Sequence, residues 1–329
     1  MTQVILLTSF LFFLNFLILK KIYMISKFLK LIDIPKKNRS LHKKPIPKIG
    51  GLIFLINFII IFFFDYFFSN IFFDSSVILF FVVMSFFLVG YFDDIFDLSA
   101  LTKFLILLFI FLALVNLENK YLLNFLYVKS FDKVIYLENF NYIFTFFCIY
   151  LLINTFNMAD GVNGLSTSIF FIWLILLFIN SKNINFEFII LIVPCVIFVL
   201  YKNLNNILFI GNSGSYLLSG FISILTIYLY NLEYMNTNTH KSLYIENILL
   251  FFLIPGLDCA RLFFYRIFFL RTSFYRADNN HFHHLLIKNY SLLISNLIYL
   301  SLILIPNIFS LLLEKYILYI IFINILVYI

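Results

Sequence analysis

Eleven apolar runs, built mostly of Phe, Leu and Ile, recur along the chain, and runs of that kind must be buried either in protein or in lipid. They cover about Val4 to Met24, Gly51 to Phe68, Val77 to Phe92, Phe104 to Leu117, Tyr142 to Phe156, Leu165 to Asn180, Phe186 to Tyr201, Tyr216 to Tyr230, Ile245 to Ala260, Leu292 to Leu313 and Tyr316 to Ile329. A soluble domain cannot hide them. The 329 residues are 63% hydrophobic and only 12% charged, with a mean hydropathy of +1.04, so too little polar surface exists to cover the rest. Lipid is therefore the solvent. Each run approaches the roughly 20 residues that cross a bilayer, and the backbone there must satisfy its own hydrogen bonds, which selects helices over an open sheet. The expectation is an all-α, polytopic bundle of about 10–11 transmembrane helices forming one domain over residues 1–329. The fourth run is the weakest candidate, since only 14 residues separate Phe104 from Leu117, both ends included.

The net charge of +7 matters less than where the cations fall. After the first run come Lys27, Lys30, Lys36, Lys37, Arg39, Lys43, Lys44 and Lys48, a strong cytoplasmic marker that places the amino terminus outside. Counting alternately, 17 of the 23 Lys and Arg fall on the cytoplasmic side; Lys120, Lys129, Lys133, Lys182, Lys241 and Lys315 fall outside. The first run is long, lacks a small-residue cleavage site and ends at Lys20 and Lys21, so it reads as a retained anchor. By itself the charge could suggest nucleic acid or an acidic surface as partner, but its placement follows membrane topology, and no nucleic-acid polymer is expected as partner. Cys148, Cys195 and Cys259 lie far apart in apolar runs and fit neither a metal pair nor a disulfide framework.

The same threading gathers five polar clusters on one membrane face: Arg39 to Gly51, Asp93 to Asp97, Asn154 to Gly164, Gly211 to Ser215 and Asp258 to His284. Ionisable groups at a membrane boundary mark function by default, because they are costly to keep there. Asp93 and Asp94 end the third run, with Asp97 one helical turn beyond Asp93 if the helix continues; adjacent carboxylates call for a cation, a basic partner or a shared proton. In NTFNMADGVNGLS, Asn154 and Asn157 share a helical face, Asp160 follows, and Gly161 and Gly164 permit a positive φ and close approach to a ligand. GNSGS supplies Gly211, Gly214 and Ser215 at a helix amino terminus, a place that attracts phosphate. The stretch from Asp258 to His284 combines Arg261, Arg266, Arg271, Arg276 and Asp278 with His281, His283 and His284; with every cysteine remote, contacts to diphosphate and hydroxyl groups fit it better than a zinc cage.

In this order and on this topology, RSLHKKPIPKIGGL (Arg39 to Leu52), the Asp93–Asp94 pair, NTFNMADGVNGL, GNSGS and ADNNHFHH (Ala277 to His284) resemble the polyprenyl-phosphate N-acetylhexosamine-1-phosphate transferases, the bacterial undecaprenyl-phosphate sugar-1-phosphate transferases of glycosyltransferase family 4. HFHH followed by Leu285 and Leu286 resembles the sugar-transferring branch; the phospho-muramoyl-pentapeptide branch carries consecutive histidines and then an acidic residue. The resemblance implies a multi-pass enzyme of the bacterial inner membrane. It would move a sugar 1-phosphate, expected to be that of an N-acetylhexosamine, from a UDP-sugar to undecaprenyl phosphate and release UMP. The cofactor it implies is Mg2+ or Mn2+, and the step would initiate a cell-envelope glycan such as O-antigen lipopolysaccharide, teichoic acid or capsule. Family members often dimerise, so a homodimer is also implied.

Carried over by position, the resemblance makes Asp93, Asp94 and Asp160 catalytic and Asn157 and Asn212 metal ligands. It gives Asn154, Gly161, Asn163, Gly214, Ser215, Arg276, His281, His283 and His284 to substrate. Two positions depart from the family pattern: Asn212 stands where an aspartate usually ligates the metal, and Asn163 where many bacterial members have aspartate. An amide oxygen ligates without adding charge, so a catalytically inactive, polyprenyl-binding relative stays open beside the enzyme. A transporter is the rival class, but its midplane site would require charges within spans, whereas these carboxylates sit at span ends.

Overall fold

The computed structural model describes residues 2–35, 44–68, 76–181, 185–235, 243–269 and 280–329. Its helices are α1 (Thr2–Lys20), α2 (Ile22–Phe28), α3 (Gly50–Phe68), α4 (Ser76–Phe96), α5 (Ala100–Leu117), α6 (Asn141–Ala159), α7 (Leu165–Asn180), α8 (Phe186–Leu204), α9 (Gly211–Met235), α10 (Ile245–Phe264), α11 (Phe282–Asn289), α12 (Leu292–Leu312) and α13 (Ile317–Tyr328). Among the described residues nine helices are long and apolar enough to cross a membrane, and α7 is a shorter apolar one. The fold is an all-α polytopic bundle; ten of the eleven apolar runs each fall on one helix, and the first is shared by α1 and α2.

Local chemistry explains where the helices deviate from the runs. The first run divides at Lys21, between α1 and α2, because two successive ammonium groups belong at the interface and not in hydrocarbon. Two short antiparallel ribbons have too few residues to announce themselves by alternation: β1 (Ile32–Asp33) with β2 (Ile46–Pro47), and β3 (Phe125–Val128) with β4 (Lys133–Tyr136). The β3–β4 ribbon closes the end of the bundle away from the carboxylates, where the Tyr127 N–H donates to Tyr230 Oη at 2.7 Å.

α9 is the central pillar, and nearly all of it is buried. Lipid tails are as apolar as leucine, so helices associate here through close packing and internal hydrogen bonds. Small residues make that approach possible. A Cβ on Gly51 of α3 would lie 2.3 Å from the Gly214 nitrogen, one on Gly90 of α4 would lie 2.2 Å from the Asn212 carbonyl oxygen, and one on Gly220 would strike the Phe86 ring at 2.4 Å. Buried amides and an indole add directional ties. Asn15 and Asn57 exchange hydrogen bonds of 3.1 and 2.7 Å between α1 and α3, and Trp173 Nε1 donates to the Phe251 carbonyl at 2.8 Å, joining α7 to α10. Large side chains such as Phe10, Phe109 and Leu297 point outward, as lipid-facing residues do.

α3 and α9 also start side by side. The Gly50 and Gly51 N–H groups donate to the Phe209 and Ile210 carbonyls at 3.0 Å each, and Phe209 N–H donates to Pro47 O at 2.8 Å. Adding a side chain at the α4–α9 contact should therefore separate two helices whose ends carry the site. Gly90→Val is expected to destabilise the protein by about 1–3 kcal/mol, the usual cost of overpacking, read as a lower unfolding midpoint in detergent; an unchanged midpoint would show that this contact can yield.

Candidate active site

The carboxyl ends of α4, α6, α8 and α10 and the amino ends of α3, α5, α7, α9 and α12 lie at one end of the bundle, and the polar clusters are there. Asp94 organises this end. Its Oδ1 accepts the Asn212 N–H at 3.1 Å and its Oδ2 the Ser213 N–H at 2.9 Å, so a carboxylate of α4 caps the amino terminus of α9. The start of α9 was expected to attract a phosphate; the structure gives that seat to Asp94. Gly211 enters the turn with φ +77°, and a Cβ there would meet Asp94 Oδ2 at 2.9 Å.

Asp93 is equally occupied. Its Oδ1 accepts Leu98 N–H at 3.0 Å, while Oδ2 accepts from Lys103 Nζ at 3.0 Å and Asn212 Nδ2 at 2.9 Å. Lys48 lies 3.2 Å from Asp33 and 3.8 Å from Asp94, held near them by the β1–β2 ribbon. α4 does not continue to Asp97: the helix ends at Phe96, and Asp97 adopts φ +48° with an exposed side chain, its N–H donating to the Asp93 carbonyl at 3.0 Å.

Asp160 follows α6 directly and is the carboxylate that these lysines leave over. Among the described residues its hydrogen-bond partner is Ser166 Oγ, which donates to Oδ1 at 2.6 Å, and no cation pairs with it. Removal from water pushes it up to about 7; Ser166 opposes the shift, Asp94 adds to it and Lys48 opposes it. Asn157, one turn earlier on α6, accepts from Ser215 Oγ at 2.7 Å, so α9 orients this amide oxygen.

The remaining expected residues divide between site and scaffold. Asn154 Nδ2 bonds the Tyr150 carbonyl of its own helix at 2.7 Å. Gly214 packs on Gly51 between α3 and α9, a helix contact in place of an exposed cap. Asn163 joins loops: its amide donates to Asn206 Oδ1, and its carbonyl accepts from Asn296 of α12 at 2.9 Å. Gly164, not Gly161, takes the positive φ, at +80°, and its N–H donates to Asn203 Oδ1. Gly161 supplies the close approach, since a Cβ there would lie 3.0 Å from His284 Nε2 and 3.3 Å from His283 Nε2. The histidine run thus packs on the loop that carries Asp160. Arg276, with Arg39, Arg271 and Asp278, lies outside the described residues.

Within the run, the His281 and His283 rings stack 5.4 Å apart and 4° from parallel. His283 is buried with both ring nitrogens unpartnered, and burial, then His284 and His281, push it down to about 3. It is accordingly neutral at physiological pH. No group of three His, Cys, Asp or Glu is arranged to hold a metal among the described residues. The oxygens that converge include amides as well as carboxylates, and with Asp160 lacking a cationic partner the donor chemistry suits a hard cation. In the sequence Lys48 stands out only as a topology marker and a member of the RSLHKKPIPKIGGL motif and Lys103 only as a topology marker, and neither Ser166 nor Asn203 is singled out; the signal for the last two is a polar side chain within two residues of the end of an apolar helix.

Residues 76–230, just under half of the chain, match the family described as Glycosyl transferase family 4. No curated protein matches the chain. The matched stretch runs from the start of α4 into α9 and contains Asp93, Asp94, Asn154, Asn157, Asp160, Asn163, Asn212, Gly214 and Ser215; Lys48, Asp258 and the histidines lie beyond it. The match supports that family and the transferase class of reaction.

The shift at Asp160 carries a stability consequence. Its folded value stands above the ordinary carboxylate value, so the folded state holds the proton more tightly than the unfolded chain. Stability then falls as pH rises from about 4 to about 7. Metal-free protein is expected to show a lower unfolding midpoint at pH 8 than at pH 5, with a smaller difference in Asp160→Asn; equal pH slopes in the two proteins would contradict this.

Proposed function

Starting from the glycosyl transferase family 4 match, we propose that this chain transfers a sugar 1-phosphate, that of an N-acetylhexosamine, from a UDP-sugar to undecaprenyl phosphate and releases UMP, opening the assembly of a cell-envelope glycan on the cytoplasmic side of a bacterial inner membrane. One observation carries the proposal: Asp93, Asp94, Asn157, Asp160 and Asn212 come from three separate helices to one end of a membrane bundle, where a lipid phosphate and a soluble nucleotide can meet. Phosphoryl transfer asks mainly for positioning and charge stabilisation. A phosphate oxygen of the lipid attacks the phosphorus that bears the sugar, and the bond from that phosphorus to the UMP oxygen breaks.

The hydrogen bonds divide the labour among the carboxylates. Asp93 and Asp94 have their oxygens committed to α9, Leu98 and Lys103, which suits holding the site's shape. Asp160 is the carboxylate with capacity to spare, and a value near 7 suits a base that takes a proton from the lipid phosphate. His283 and His284, beside Gly161, and His281 face the sugar and diphosphate in this reading. Mg2+, or Mn2+, would be held by Asn157, Asn212 and the acidic groups, and when bound it neutralises the diphosphate and improves UMP as a leaving group. Asn212 supports a second reading, the inactive lipid-binding relative: its amide brings no charge and already donates to Asp93.

Purified protein in detergent, given undecaprenyl phosphate and a panel of UDP-sugars with Mg2+ or with chelator, is expected to release UMP from one donor in the presence of metal alone. Release from none, by folded protein beside an active control, would favour the inactive relative. Asp160→Asn should lower kcat by at least about 100-fold, the usual scale for a general base, with the UDP-sugar still bound. Asn212→Asp should keep or raise the affinity for Mg2+, and a large loss would mean that the site has adapted to the amide.

A further inference from the structure

Asp258 lies on α10, outside the stretch that matches the family, and is 4% exposed. Four groups converge on its carboxylate. Oδ2 lies 3.1 Å from His281 Nδ1; Oδ1 accepts Phe282 N–H at 3.0 Å, Arg261 Nη2 at 2.8 Å and Tyr328 Oη at 3.1 Å. Arg261 also donates to the Asn280 carbonyl at 2.6 Å and to Tyr328 Oη at 3.2 Å, so the backbone on both sides of His281 is tied to one side chain and its neighbour. A buried carboxylate satisfied in this way is a fixed acceptor.

A carboxylate at Nδ1 makes that nitrogen the proton donor. The other ring nitrogen, Nε2, then meets any ligand as an acceptor when the ring is neutral and as a donor when it is charged. We propose that Asp258 is a positioning residue for the transfer: it sets the tautomer and the orientation of His281 so that Nε2 faces the UDP-sugar, and Arg261 of α10 with Tyr328 of α13 holds the carboxylate in place. His283, stacked on His281, inherits the same alignment. α13 thereby brings Tyr328 level with Asp258. This inference rests on the transfer reading for its substrate but not for its geometry.

The test reads both. In protein labelled with 15N at histidine, with His281→Gln used for assignment, the His281 ring is expected in the Nδ1–H form. Asp258→Asn should move it toward the Nε2–H form and lower kcat/KM for the UDP-sugar by about 10- to 100-fold, the scale of a lost hydrogen bond to a charged group, while KM for undecaprenyl phosphate stays within about twofold. A merely structural aspartate would leave the tautomer unchanged, and that result, or an unchanged kcat/KM, overturns the proposal. If Asp258→Asn does not fold, Arg261→Gln carries the same readouts: a mixed tautomer with reduced kcat/KM supports the assignment, and no change in either sinks it. If wild-type protein releases no UMP from any donor, the transfer reading fails and the ring spectrum alone decides, with Nε2–H in the wild type refuting the role of Asp258.

Discussion

The capping of α9 by Asp94 is the interaction on which the rest of the site depends. A helix amino terminus leaves N–H groups without partners, and a carboxylate at a membrane boundary needs compensation for leaving water. Each answers the other's deficit when Asp94 accepts from Asn212 and Ser213. That contact requires α4 and α9 to lie almost backbone to backbone, which Gly90 allows, and α3 to close on the other side, which Gly51 and Gly214 allow. With the pillar so placed, Asn212 reaches Asp93, and Ser215 reaches Asn157.

Charge at this end is distributed unevenly, and the imbalance has chemical meaning. Lys103 answers Asp93, while Lys48 is shared between Asp33 and Asp94. Asp160, beyond both lysines, keeps a hydroxyl as its partner and rises to about 7. The histidine run repeats the pattern: His281 is anchored by Asp258, whereas His283 is buried, neutral and unpartnered.

Much of the candidate site is legible in the sequence, because polar residues stand out against a background of Phe, Ile and Leu. Asp93, Asp94, Asn157, Asp160, Asn212 and the histidines announce themselves in that way. Gly214 and Asn163 were legible as motif members but not in their contacts: one turned out to be a helix-packing glycine and the other a tie between loops. Lys103 was visible only as a positive charge, since nothing local to it reveals that its partner is ten residues away on the preceding helix.

The sequence by itself determined the solvent, the apolar helices and the end of the bundle at which the polar clusters gather. Hydrophobic run length and the need to satisfy the backbone in lipid are local constraints, readable from one segment at a time. Tertiary structure alone decided which polar groups neutralise one another. Those pairings join helices far apart in the chain, as Asp94 with Asn212, Asn157 with Ser215 and Asp258 with Tyr328 show. Such contacts depend on how closely two backbones approach and at what depth each helix stops, and those quantities are set by the packing of the whole bundle, not by any segment alone.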